Sequence, residues 1–270
     1  MKKIVIILVL YILVAGCVTN PITGKSTMAL VGNKELFLSS FQQYDEFLSE
    51  NRVVSGAEEA VLVERVGARL RAAAEKWLNA EGQGDYLKDY RWEYNLVLDD
   101  AVNAWCMPGG KIVVYTGILP VAQTEAGLAA VMGHEVSHAL LNHGQQRMSA
   151  GILQELGAAG LNIFTANQGA QTQALAMTIY GAGSQLFGIL PFSRNHENEA
   201  DHIGLILMAI AGYNPEEAVS FWNRMNSLSA GGGGTPEFLS THPSDITRTR
   251  NLRGWIPEAK ERAAGFGVYF

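Results

Sequence analysis

His134, Glu135 and His138 fall within one short window of the run Ala129-Ala130-Val131-Met132-Gly133-His134-Glu135-Val136-Ser137-His138-Ala139-Leu140-Leu141. Residues four apart share a helix face, so both imidazoles can hold one ion. The glutamate beside them is then placed to take a proton from a metal-bound water. The run is apolar and helix-favouring, Thr124 offers an N-cap, and no proline interrupts it as far as Gly144. A catalytic zinc site needs a third protein ligand and leaves a fourth position open. One pattern of zinc proteases extends to a third histidine, but position 144 here is glycine and His143 falls one place short.

A carboxylate on a later helix is the other route. Ser193-Arg194-Asn195-His196-Glu197-Asn198-Glu199-Ala200-Asp201-His202 carries Glu197 and Asp201 four apart, on one face of a helix. One of the two can bind the ion while the other hydrogen-bonds the free nitrogen of a ligand histidine. Glu199 lies about two hundred degrees round the helix from Glu197 and faces away.

With these residues the chain resembles the gluzincin metallopeptidase family that includes the CAAX prenyl proteases, HtpX and the periplasmic BepA- and LoiP-like peptidases. The likeness rests on His134-Glu135-x-x-His138 and on Glu197-x-Glu199-Ala200-Asp201. It also rests on Asn103-Ala104-Trp105-Cys106-Met107-Pro108-Gly109-Gly110-Lys111-Ile112 and on Thr241-His242-Pro243-Ser244. It runs in order and spacing over roughly residues 33–253. The resemblance implies one zinc ion per chain on His134, His138 and Glu197, Glu135 as general base, and Asp201 as the partner orienting a ligand histidine. It puts Asn103, Gly109 and Gly110 beside a substrate groove, where a peptide adds as a strand to a sheet edge. It makes His242 a catalytic residue, either a donor to the developing oxyanion or a plug in the open position at rest. Gly231 to Gly234 would then let that segment move. Arg248, four residues past Ser244, reaches for a carboxylate in the site and is a substrate-binding candidate. His143, His196 and His202 are read as structural or surface histidines.

The elements that must position these groups are mostly helical. Asn33 to Glu50 carries Leu36, Phe37, Phe41, Tyr44, Phe47 and Leu48 at helix spacing, and Ala57 to Leu78 opens with Glu58 and Glu59 behind a possible Ser55 cap. Tyr90 to Leu98, Asn103 to Pro108 and Lys111 to Thr116 read as strands, with Gly109-Gly110 turning between the last two. Further helices are expected over Phe192 to Ala211, from Pro215 to about Leu228, and from Ser244. The expected fold is α+β, mainly α: a helical zincin-type domain with a small β-sheet bordering the active-site cleft. Between Arg147 and Arg194 the only charged residue is Glu155, which suits buried or peripherally membrane-touching helices rather than a span.

The N-terminus reads as an address. Lys2 and Lys3 precede the apolar run Ile4 to Val14, and Val14-Ala15-Gly16-Cys17 resembles a bacterial lipobox. The expected organisation is a lipoprotein signal peptide at 1–16, a lipid-anchored tether at 17–32, and one metallopeptidase domain at 33–270. Removing two lysines with the leader moves the formal charge from −6 to −8. That negative balance, in a chain with only 17% charged residues, argues against nucleic-acid partners. The expected function is a zinc endopeptidase of the bacterial cell envelope, cleaving misfolded or misassembled exported proteins. It would face the periplasm from the outer membrane through lipid on Cys17. The alternative is a chaperone-like assembly factor for outer-membrane proteins whose protease activity is secondary.

Overall fold

The computed structural model describes residues 17–165, 193–230, 236–242 and 247–270. The leader, the apolar stretch 166–192, the glycine run 231–234 and Pro243-Ser244 lie outside the described residues. Strands β1 (Cys17–Thr19) and β2 (Ser26–Met28) form an antiparallel ribbon with Cys17 opposite Met28. The polar stretch between them, which the sequence suggests is a loose tether, is the turn of this ribbon. Buried Asn20 accepts from the Ile22 and Thr23 backbone and donates through Nδ2 to Leu140 O at 2.8 Å and to Tyr86 Oη at 3.2 Å.

Helix α1 (Asn33–Glu50) forms where the periodicity places it and buries Leu36, Phe37, Phe41 and Tyr44. After β3 (Val53–Val54), α2 (Glu58–Ala80) starts with the two glutamates its dipole favours, behind Ala57 rather than Ser55. Strands β4 (Glu93–Val97), β5 (Ala104–Met107) and β6 (Lys111–Tyr115) complete a sheet of order β3-β4-β6-β5. β4 and β6 run parallel, with Tyr94 opposite Ile112, whereas β5 and β6 are antiparallel, with Cys106 opposite Ile112. All five residues of β6 are buried, as a central strand covered on both faces requires, and β5 is left at the edge.

Among the described residues the one-turn α3 (Leu119–Ala122) is followed by α4 (Glu125–Leu140), which packs on β5, and by α5 (His143–Thr165), α6 (Arg194–Ile210), α7 (Glu216–Ala230) and α9 (Arg248–Ala264), with the short α8 (Glu237–Thr241) before the last. Thr124 caps α4 as expected, accepting from Gly127 N at 2.9 Å. From Gly127 to Leu140 every residue of α4 is buried, which suits a helix apolar all round. It crosses α6 with the backbones nearly touching. A Cβ added at Gly204 would lie 2.9 Å from His134 N and 3.0 Å from Gly133 O. The C-terminal carbonyls of α4 are held by Tyr86, whose hydroxyl donates to Leu140 O at 2.8 Å, and by Tyr90, which donates to Ala139 O at 3.1 Å. The α+β, mainly helical architecture is the expected one. Among the described residues no helix is long and apolar enough to cross a membrane.

Candidate metal centre

The crossing of α4 and α6 brings two imidazoles and one carboxylate together from residues sixty positions apart. His134 Nε2 lies 3.1 Å from His138 Nε2, and Glu197 reaches both, Oε2 at 3.5 Å from His134 Nε2 and Oε1 at 3.4 Å from His138 Nε2. His242, at the end of α8, adds Nδ1 at 3.0 Å from Glu197 Oε1 and 3.3 Å from His134 Nε2. All four residues are buried, and their donor atoms lie within 4.8 Å of one another. Zinc bound at about 2.0–2.1 Å in a tetrahedron puts its ligand atoms about 3.3–3.4 Å apart, so these separations match the edges of such a site. Glu197 Oε2 and Glu135 Oε1 are buried with only long contacts, Glu197 Oε2 3.5 Å from His134 Nε2 and 3.3 Å from Arg248 Nη2, and Glu135 Oε1 3.4 Å from His242 Nε2, so both retain capacity for a cation. Two or three imidazoles and a carboxylate are zinc's preferred donors, and the set fits a single zinc ion.

The electrostatics of the cluster are those of ligands short of a cation. Burial pulls the His134 pKa down, but hydrogen bonds with Asp201 and Glu197 outweigh it and raise it to about 9. Burial raises Glu197, yet its contacts with His134, His138 and His242 drive it far below the usual carboxylate range. Burial holds His138 well below the ordinary histidine value.

Asp201 sits where the α6 spacing puts it, one turn beyond Glu197, with Oδ1 2.9 Å from His134 Nδ1. Arg248 grips the same carboxylate, donating from Nη2 to Oδ1 at 2.6 Å with Nε 2.6 Å from Oδ2, and its guanidinium lies over the Trp222 ring at 3.2 Å. It therefore reaches a site carboxylate, as its spacing suggests. At 2% exposed, however, it sits behind His134, sealed from any substrate groove. Glu135 is buried beside the edge strand, where the Cys106 backbone donates to it, and His242 Nε2 lies 3.4 Å from its Oε1. Burial raises the Glu135 pKa above the ordinary glutamate range.

Three residues expected at the groove lie elsewhere. Asn103 is buried, accepts from Ala104 N at 2.9 Å and donates through Nδ2 to Glu237 Oε1 at 3.0 Å, so it anchors α8 rather than facing open space. Gly109 and Gly110 have φ of 86° and 90° and form the β5–β6 turn, covered by Phe37, Phe41 and Trp92. Their glycine identity answers the turn and that aromatic cover, with no room for a peptide backbone.

Two residues that sequence reasoning set aside join the centre. His143 is fully buried, with Nδ1 3.0 Å from His138 Nδ1 and Nε2 3.2 Å from Glu199 Oε2. One continuous helix would turn position 143 away from position 138. The helix instead breaks at Asn142, whose φ of 57° restarts the chain and swings His143 back. The signal was Asn142, since asparagine tolerates the left-handed region. Glu199 does face away from the ion, but towards His143.

The profile of peptidase family M48 matches residues 65–256. A mitochondrial metalloendopeptidase OMA1 from Schizosaccharomyces pombe is 37% identical over 64% of this chain and 49% of its own length. The human mitochondrial metalloendopeptidase OMA1 is 30% identical over 89% of this chain and 46% of its own. The β-barrel assembly-enhancing protease of Escherichia coli is 30% identical over 60% of this chain and 34% of its own. The chain thus spans about half, or less, of the length of these relatives. The bacterial-envelope, outer-membrane address expected from Lys2 to Cys17 is overturned by relatives from fungi, plants and animals that are mitochondrial. A few residues around one cysteine carry too little physical information to name a compartment. Cys17 itself is exposed at the start of β1.

Proposed function

The chain belongs to peptidase family M48, and from that premise we propose that it is a zinc-dependent endopeptidase acting on protein substrates. In this reading His134, His138 and Glu197 hold the ion, and Glu135 is the general base. The observation that carries it is the convergence of His134 Nε2, His138 Nε2 and the Glu197 carboxylate to within 3.1–3.5 Å of one another, with the buried Glu135 alongside. Zinc bound there supplies a Lewis acid for the scissile carbonyl and lowers the pKa of its water.

The chain's own groups do the rest. Glu135 accepts the water proton and passes it to the leaving nitrogen, a task its burial-raised pKa suits. Asp201, itself fixed by Arg248, holds the His134 ring by accepting from Nδ1–H. Strand β5 ends the strand order of the sheet among the described residues and its Cys106 backbone hydrogen-bonds to Glu135, so a substrate strand added at that edge would bring its backbone towards the base. His242 Nδ1, 3.0 Å from Glu197 Oε1 and 3.3 Å from His134 Nε2, would be a fourth donor to the ion at rest, and in this reading it acts as a latch that would have to withdraw before substrate is cut.

Glu135→Gln should lower cleavage of a fluorescent casein by about 10²–10⁴-fold while one zinc per chain remains bound. Cleavage at the parental rate would sink the mechanism. A second reading, a factor that binds unfolded chains and cuts them only secondarily, is favoured by the latched His242 and by the assembly-enhancing relative. In that case the Glu135→Gln protein suppresses aggregation of an unfolded client as well as the parent does.

A further inference from the structure

His138 has two ring nitrogens, and only one points into the donor cluster. Nε2 faces His134 and Glu197; Nδ1 lies 3.0 Å from His143 Nδ1. An imidazole that gives Nε2 to an ion carries its proton on Nδ1, so Nδ1–H of His138 donates to His143. The acceptor on His143 is then Nδ1, which leaves its proton on Nε2, donating to Glu199 Oε2 at 3.2 Å. Glu199 in turn pairs with the ammonium of Lys25, in the turn of the β1–β2 ribbon. Every donor in this chain meets an acceptor, with one assignment of protons throughout. The histidine is fully buried, His196 stacks on it with ring centroids 4.3 Å apart, and it has no freedom to adopt another role at the surface.

We propose that His143 and Glu199 are positioning residues for the metal site, fixing the tautomer and ring orientation of His138, and that Lys25 couples this chain to the N-terminal ribbon. The inference rests on the metal-site reading above. His134 receives the same service from Asp201 and Arg248, so each ligand histidine has its own buried polar support. The two supports differ in kind. One ends in an arginine buried between α6 and α9, whereas the other runs out to an exposed lysine on a peripheral ribbon. Docking of that ribbon and the hold on the ion are therefore linked.

The experiment measures zinc affinity of the full chain by competition with a chromophoric chelator, together with the visible spectrum of the cobalt-loaded protein, for four variants. His143→Leu removes both hydrogen bonds, and zinc should bind about 10–100-fold more weakly. His143→Asn keeps an acceptor for His138 Nδ1–H while losing Glu199, and should fall between Leu and the parent. Glu199→Gln, on a partly exposed side chain, should weaken zinc by several fold with a shifted cobalt spectrum. Lys25→Met should weaken it in the same direction and by less. A His143→Leu protein with parental melting temperature and zinc affinity within twofold of the parent overturns the inference. If that variant does not fold, parental affinity and cobalt spectrum in Glu199→Gln do the same. His134→Ala serves as the control for the underlying reading: if it still binds zinc like the parent, the metal site itself is wrong.

Discussion

At the scale of the residue, the centre is a buried set of coupled titratable groups in which His134 and Arg248 balance Glu197 and Asp201. His134, raised to about 9 in the metal-free chain by Asp201 and Glu197 against the pull of burial, carries a proton at neutral pH that zinc must displace. The sign follows directly. Below pH 9 one proton leaves for each ion bound, so apparent zinc affinity should rise by up to about tenfold per pH unit from 7 to 9 and then flatten. Competition titrations at pH 7, 8 and 9 test this, and a flat profile would contradict the charge assigned to His134. Spacing of four along a helix made the pairs His134–His138 and Glu197–Asp201 legible in the sequence, while the choice of Glu197 over Asp201 as candidate ligand came from the family resemblance. His143 was not legible, because its position depends on the backbone dihedral of Asn142. Arg248 is a substrate-binding candidate in the sequence only from its place four residues past Ser244; its burial against Asp201 and Trp222 is encoded by no local pattern.

Among the elements, the decisive feature is the contact of α4 with α6. Glycines at 133 and 204 let two backbones approach closely enough for Glu197, at the N-terminal end of α6, to reach across to both histidines. Gly204→Ala places a methyl about 3 Å from the His134 backbone, which neither helix can absorb without separating. Overpacking of this kind costs about 1–3 kcal/mol. The loss should appear as a lower urea midpoint and, because the helices carry the ligands, as weaker zinc binding. Gly151→Ala, where an added methyl meets nothing among the described residues, is the matched control: it should leave zinc binding unchanged and, as a helical glycine replaced by alanine, raise the urea midpoint slightly. The helices themselves were evident from the spacing of Leu36, Phe37, Phe41 and Tyr44 and from the Thr124 cap. Their mutual crossing was not, because periodicity reports which face is apolar and says nothing about its partner.

For the molecule as a whole, an ion held in the proposed site would join α4, α6 and the segment ending at His242, three parts far apart in sequence. Chelation should therefore lower stability by about 4 kcal/mol relative to zinc at a thousandfold over its dissociation constant, a loss of roughly 10 °C in Tm for a chain of this size. A melting curve indifferent to a chelator would mean that the cluster holds no ion. The tie between Asn103 and Glu237, reinforced where Phe238 N donates to Val102 O at 3.1 Å, has a mechanical corollary. These bonds tie the start of β5 to the helix bearing His242, so in the proposed mechanism a polypeptide zipping onto that strand would draw His242 away from the metal position. Substrate becomes its own key: long extended peptides should be cut with a higher kcat than short ones bearing the same bond, and Asn103→Ala should erase the advantage of length.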